Sequence, residues 1–163
     1  MDDTREIRDI LAEIQGRCNA GFAVALHVHY TTPRFLFQTY EPAWAKVYSE
    51  RGLVLRDPTV RWGLENEGMI DWSALEHDDP AGVLKLAREH GIHYGFTHAI
   101  ADGGSRSVGS FARKDTDFSE EDREVLSSMF LQLHRGTHVA DGEEDAIAEM
   151  LRKLSVELTH TWK

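Results

Sequence analysis

The sequence predicts an α+β domain in which helices cover one mostly antiparallel sheet. Three observations predict it. The periodicity runs helix, two strands, three helices, a hairpin, then one or two helices, so strands lie at both ends of a helical middle. Each strand pair is joined by turn chemistry short enough for antiparallel neighbours. No βαβ unit with a glycine-rich phosphate loop is present, which argues against a doubly wound parallel fold. At 163 residues the chain suits one domain with its own core.

Each element has a local reason. Ile7, Ile10, Leu11 and Ile14 form one face of an amphipathic helix stopped near Gly16. FAVALHVHY then alternates, with Phe22, Val24, Leu26, Val28 and Tyr30 on one face and Ala23, Ala25, His27 and His29 on the other. Thr31, Thr32 and Pro33 make a turn into a second strand, Arg34 to Thr39. Pro42 opens a helix that Gly52 closes. Asp57-Pro58 and Asp79-Pro80 repeat one start signal, Asp as N-cap and Pro at the first helical position. The second of these helices carries Val83, Leu84, Leu86 and Ala87 and ends at Gly91. Phe96 to Ala101 and Arg106 to Arg113 flank Asp102-Gly103-Gly104 as a hairpin, which brings the strands read from the residues to four. Ser119 caps a helix carrying Val125, Leu126, Met129, Phe130 and Leu133.

Composition removes several function classes. The formal net charge is −10 and no basic cluster offsets it, which argues against a nucleic-acid surface and a polybasic membrane patch. The charged start, MDDTREIRD, is no secretory signal, and no run approaches the ~18 apolar residues of a membrane span, so a cytoplasmic protein is expected. The single cysteine, Cys18, excludes an intramolecular disulfide and suits a reducing compartment. Two histidine pairs, His27 with His29 and His134 with His138, invite a metal. No carboxylate or third histidine stands near either by spacing, so no metal or cofactor is expected. There is no nucleophile elbow and no phosphate-binding loop, and the chain is not expected to be an enzyme.

The informative stretch is Tyr40 to Trp72. Tyr40, Trp44 and Tyr48 step by four, which stacks them on one helix face if the helix begins near Tyr40; an ordinary core would use Leu or Ile there. Their rings are apolar bodies with hydrogen-bonding tips. Asp57 adds an acceptor and Trp72 another large plane. These residues fit a polar-tipped pocket; they also fit core filler beside a capping aspartate.

The same residues carry a family resemblance. Tyr40, Trp44, Tyr48, Asp57-Pro58 and Trp72, followed by GIHYGFT from Gly91 and a hairpin ending VGSF, resemble the autoinducer-binding domain of LuxR-type quorum-sensing regulators over Ile7 to His138. The resemblance implies an α-β-α sandwich around a five-stranded antiparallel sheet. It implies a buried N-acyl-homoserine lactone. Trp44 would donate to the lactone carbonyl, Asp57 would accept from the amide N–H, Tyr40 would donate to the acyl carbonyl, and Trp72 would pack on the ring. Leu26, Val28, Val60, Val83, Ile92, Val108 and Ser110 would complete the pocket beside Tyr48. Extra volume at Val28 and Tyr30 would shorten the acyl tunnel and favour short or medium tails.

The resemblance covers a domain over 1–138. Residues 139–163 are too few for a helix-turn-helix and form an amphipathic extension with Ile147, Leu151, Leu154 and Leu158 at seam spacing. The expectation is a signal receptor or modulator without a DNA-binding domain, forming a homodimer or a heterodimer with a full-length LuxR-type regulator. Apolar surface at Met129, Phe130 and Leu133 would serve that contact. The alternative is an interaction module that pairs with such a regulator and blocks it without binding a signal.

Overall fold

The computed structural model describes residues 3–138 and Glu149. Its elements are α1 (Asp3–Arg17), β1 (Gly21–His29), β2 (Thr32–Gln38), α2 (Pro42–Glu50), α3 (Pro58–Glu65), β3 (Gly68–Asp71), α4 (Val83–Glu89), β4 (Tyr94–Asp102), β5 (Ser105–Arg113) and α5 (Glu120–Gly136). Short 3-10 turns at Leu53–Leu55 and Trp72–Asp78 join them. The five strands form one sheet in the order β2-β1-β5-β4-β3, every neighbour antiparallel. The α+β expectation holds. The fifth strand, β3, is four residues that pair with β4 from Gly68–Ala99 to Asp71–Phe96. GMID is too short and too exposed to show the period-two pattern of a half-buried strand. The extension expected over 139–163, with its Ile147, Leu151, Leu154 and Leu158 seam, lies outside the described residues. No helix among the described residues is long and apolar enough to cross a membrane.

The sheet divides the interior into two unlike halves. On one face Phe22, Phe35, Phe37, Phe96 and Phe111 pack with Ile7, Leu11 and Ile14 of α1 and Leu126, Phe130 and Leu133 of α5. Phe130 and Leu133 are fully buried there, so they are spent on the domain's own core and leave no free apolar surface. On the other face Trp44, Leu53, Val83, Ala87 and Ile92 cluster beneath the middle helices. Helices on both faces make the α-β-α sandwich.

Local chemistry sets the helix starts. Asp57 caps α3 by accepting the Thr59 N–H at 2.8 Å, with Pro58 at the first helical position. Ser119 caps α5 by accepting the Asp122 N–H at 3.1 Å. At Asp79-Pro80 the expectation is half right. Asp79 accepts from Val83 N and Leu84 N, both at 2.9 Å, but α4 starts only at Val83. A turn through left-handed Gly82 (φ 69) separates cap and helix, so Pro80 lies outside α4. The β4–β5 hairpin closes on Gly103 and Gly104, with φ of 64 and 76, between paired Asp102 and Ser105. Two left-handed residues suit a two-residue hairpin turn.

One expectation fails for a backbone reason. Leu26 and Val28 do not share a face. His27 sits at φ 56, and the β1–β2 ladder runs from Leu26–Phe35 to Val28–Pro33 without a His27–Arg34 pair. A left-handed residue inside a strand breaks alternation as a bulge does. Leu26 therefore stays in the phenylalanine core and Val28 turns to the opposite layer with Ala23 and Ala25. Tyr30 is 88% exposed at the β1–β2 turn and narrows nothing.

Gly63 is where α3 meets the sheet: a Cβ there would collide with Val108 of β5. Gly63→Ala is expected to lower unfolding free energy by about 1–3 kcal/mol through overpacking. Gly16, also helical, meets nothing within 4 Å, so Gly16→Ala is expected to stabilise by up to about 1 kcal/mol. Urea unfolding of the two variants checks both signs.

Candidate functional site

The second layer is not filled. The sheet face under α2, α3 and α4 presents Ala23, Ala25, Val108 and Ser110, and these small or short side chains border a cavity of about 350 Å³. Tyr40, Trp44, Tyr48, Asp57, Trp72, Val28, Val60, Val83, Val108 and Ser110 all line it. Two expected residues do not. Leu26 is in the opposite core because of the inversion at His27. Ile92 is buried behind the wall, clustered with Trp44, Val83 and Ala87. The residue reading missed Leu36, Gln38, Val54, Thr59 and Leu84 as lining residues. Leu36 and Gln38 could have been found, because they alternate on β2 opposite Ala25 and Ala23.

The polar groups converge from three elements. Asp57 accepts Thr59 N–H at 2.8 Å and Thr59 hydroxyl at 2.7 Å through Oδ1, and Tyr48 hydroxyl at 2.8 Å through Oδ2. Burial pushes its carboxyl above the ordinary range, while the Thr59 and Tyr48 hydrogen bonds pull the other way. Burial, with the Asp57 charge nearby, keeps both Tyr48 and Tyr40 hydroxyls protonated far above their usual range. Tyr48 thus donates to Asp57. Among the described residues neither the Tyr40 hydroxyl nor the Trp44 indole N–H has a hydrogen-bond partner.

Trp72 is held differently. Its ring lies against Gly95 of β4, where a Cβ would strike the indole, and its N–H donates to Thr97 Oγ1 at 3.0 Å. Thr97 in turn is 2.7 Å from Ser110 Oγ. With its N–H engaged, Trp72 offers the cavity a flat apolar plane. An apolar cavity with a few convergent polar groups is the usual form of a small-molecule site.

Two other sequence features find structural roles. His27 and His134 meet across β1 and α5 at a ring-centroid distance of 4.6 Å, and His138 stands 5.5 Å from His27. His27 bonds Ser105 Oγ at 2.7 Å and the His134 carbonyl at 2.9 Å; His134 bonds Ser107 Oγ at 2.6 Å and the Asp102 carbonyl at 2.9 Å. Both nitrogens of each ring are engaged. No group of three or more ligating side chains suited to a metal occurs among the described residues. Cys18 is fully buried, and burial pushes its thiol up to about 12, the environment of an inert cysteine.

The histidine cluster makes stability pH-dependent. Burial pulls His27 down to about 4, with His134, His138 and Arg34 adding repulsion, and burial alone does the same to His98. A histidine whose folded pKa is depressed binds fewer protons folded than unfolded. Its stabilisation is present above ~6.5 and is lost as pH falls towards 4. Asp57, raised on folding, acts in the opposite sense and is common to wild type and variant. His27→Asn, which tolerates the left-handed backbone, is expected to lose less stability between pH 6.5 and pH 4 than wild type. Denaturant unfolding at several pH values checks this.

Comparison with known proteins agrees with the fold. A search of curated proteins finds no match. Among solved structures, SdiA in complex with octanoyl-rac-glycerol superposes with a TM-score of 0.57 at 20% identity, over 81% of this chain and 59% of that one. The N-acylhomoserine lactone dependent LuxR family transcription factor CepR2 from Burkholderia cenocepacia superposes at 0.55 and 16% identity, over 84% and 92%. The solution structure of residues 1–171 of Escherichia coli SdiA gives 0.56 and 19% identity, over 93% and 85%. The chain thus spans 59% of the first SdiA chain. The profile of the autoinducer binding domain matches residues 4–137, and the chain belongs to that family.

Proposed function

We propose that the cavity binds an N-acyl-homoserine lactone and that the chain is a quorum-sensing receptor or modulator, not an enzyme. The observation that carries this is that, among the described residues, the Tyr40 hydroxyl and the Trp44 indole N–H have no hydrogen-bond partner, beside a buried Asp57 carboxylate in a largely apolar cavity. Such a ligand offers two carbonyl acceptors, one amide donor and an alkyl tail. Trp44 donates to the lactone carbonyl, Tyr40 to the acyl carbonyl, and Asp57 Oδ2 accepts from the amide N–H while Tyr48 holds it in place. Trp72 packs its face on the lactone ring. Val28, Val60 and Val108 wall the tail. Each buried polar group left without a partner would cost about 1–3 kcal/mol, so the complementarity is selective.

The same proposal places the protein in the cytoplasm, without contact to nucleic acid. It assembles as a homodimer, or with a full-length LuxR-type regulator, through the outer side of α1 and α5, where Ile10 and Met129 remain only partly buried. A module that only blocks a partner has no physical need of unpartnered polar tips in a cavity.

A thermal-shift panel of acyl-homoserine lactones tests the reading. Ligand at a hundredfold excess over Kd adds about 2.7 kcal/mol of stability. A panel flat at every chain length overturns it. Trp44→Phe deletes the indole N–H, and Asp57→Asn keeps shape and capping ability while weakening the acceptor. Each is expected to weaken lactone binding by about 1–3 kcal/mol with the fold retained. Normal binding by both variants removes the assigned roles.

A further inference from the structure

We propose that Ser110 and Gln38 form a polar row on the sheet floor of the cavity, and that this row selects acyl chains carrying a keto oxygen on the carbon β to the amide carbonyl. The proposal rests on the lactone reading above and names which chain that site takes.

The first observation is the direction of a hydrogen-bond chain. The Trp72 indole N–H can only donate, and it donates to Thr97 Oγ1 at 3.0 Å. Thr97 is fully buried. Among the described residues the only other partner of its hydroxyl is Ser110 Oγ, at 2.7 Å. A buried hydroxyl proton without an acceptor is costly, so Thr97 donates to Ser110. The Ser110 proton must then turn elsewhere. Ser110 lines the cavity, and no acceptor for that proton occurs among the described residues. The chain from Trp72 through Thr97 thus ends in a donor offered to the cavity.

The second observation is a further donor in the same lining. Gln38 Oε1 accepts the Tyr40 backbone N–H at 3.2 Å, which sets the orientation of its amide. Among the described residues Gln38 Nε2 has no partner, and Gln38 also lines the cavity. Trp44 and Tyr40 already serve the two carbonyls of an unsubstituted ligand. Ser110 and Gln38 are donors in excess of what such a ligand can accept.

The third observation is the strand register, which places these donors. Gly21, Ala112 and Gly95 pair across β1, β5 and β4. A Cβ on Gly21 would crowd Tyr40, Trp72 lies on Gly95, and Trp44 clusters with Ala112, so this row holds the head-group residues. Two residues along each strand, Gln38, Ala23, Ser110 and Thr97 form the next row. Two residues further, Leu36, Ala25 and Val108 form an apolar row. Successive rows are about 6.8 Å apart. In the ligand, the ring carbon and the α carbon of the chain are ~3.8 Å apart across the amide, and the β carbon is one bond further. A chain running from the head-group row towards Val108 therefore carries its β carbon to the polar row and its later carbons over the apolar one. Ala23, between Gln38 and Ser110, has only a methyl group and leaves room for an oxygen above it.

Both side chains donate, and a keto oxygen answers them with two lone pairs and no proton of its own to place. A methylene at that point covers the donors and gives them nothing.

The test titrates the purified chain calorimetrically with hexanoyl- and 3-oxohexanoyl-homoserine lactone. Wild type is expected to bind the 3-oxo ligand about fivefold more tightly, the net worth of one neutral hydrogen bond. Ser110→Ala is expected to lower that ratio by about threefold or more while binding hexanoyl lactone no less tightly than wild type. Gln38→Glu keeps an acceptor for the Tyr40 N–H but removes the donor, and is expected to lower the ratio as well. If circular dichroism shows Ser110→Ala misfolded, Ser110→Cys, a weak donor of similar shape, replaces it with the same expectation. Equal or weaker binding of the 3-oxo ligand by wild type overturns the inference and leaves the lactone reading standing. A 3-oxo preference that survives in both variants overturns it. Equal losses for both ligands in Ser110→Ala make Ser110 a head-group contact and overturn it too. Absence of binding by both ligands and by the whole chain-length panel overturns the lactone reading, and the inference with it.

Discussion

A carboxylate buried against an apolar cavity is stable only if its lone pairs are used, and Asp57 uses them to organise the site. Oδ1 is engaged by the backbone and hydroxyl of Thr59, which fixes the first turn of α3. Oδ2 receives the Tyr48 hydroxyl, which fixes α2 against α3. Removing the Tyr48 hydroxyl would leave Oδ2 unsatisfied, at a cost of about 1–3 kcal/mol, whereas Oδ1 would keep the Thr59 N–H even without the Thr59 hydroxyl. The same arrangement leaves Oδ2 with capacity for one more donor. The carboxylate that caps α3 also faces the cavity, and asparagine in its place would keep the cap while weakening the acceptor.

The cavity itself follows from unequal side-chain volume on the two faces of the sheet. Phenylalanines fill the face towards α1 and α5. Alanines, valine, serine and glycine occupy the face towards α2, α3 and α4. Contact on that face is made where glycine permits it. Gly63 lets α3 approach Val108, and Gly95 lets Trp72 lie flat on β4. Close approach at these points holds the helices at a fixed height, and the space between remains open. Interiors are ordinarily close-packed, and an apolar cavity with a few oriented polar groups is the usual form of a small-molecule site.

Much of this was legible in the sequence because it rests on local chemistry. Asp57-Pro58, Ser119 and Gly103-Gly104 set element ends by capping and turn rules that need no tertiary information. The four-residue stepping grouped Tyr40, Trp44 and Tyr48, and all three line the cavity, Trp44 and Tyr48 from α2 and Tyr40 from the segment just before it. What was not legible depends on long-range contacts. β3 exists because β4 offers it an edge. His27 takes a left-handed backbone while its ring is held by Ser105 and α5, far away in the chain, and that inversion separates Leu26 from Val28. Ile92 was assigned to the lining but packs one layer behind it, a difference of depth that no spacing encodes. Phe130 and Leu133 looked like surplus surface because the size of the phenylalanine core is a property of the assembled sheet.

The central claim is that the lactone head lies between Trp44, Asp57 and Trp72. Isotope-filtered nuclear Overhauser spectroscopy of the labelled chain with unlabelled hexanoyl-homoserine lactone tests it most directly. The account predicts contacts from the lactone ring protons to the Trp44 and Trp72 indoles, and from the acyl methylenes to the methyl groups of Val28, Val60 and Val108. Contacts confined to the outer helices, or to the phenylalanine core between the sheet and α5, would contradict it.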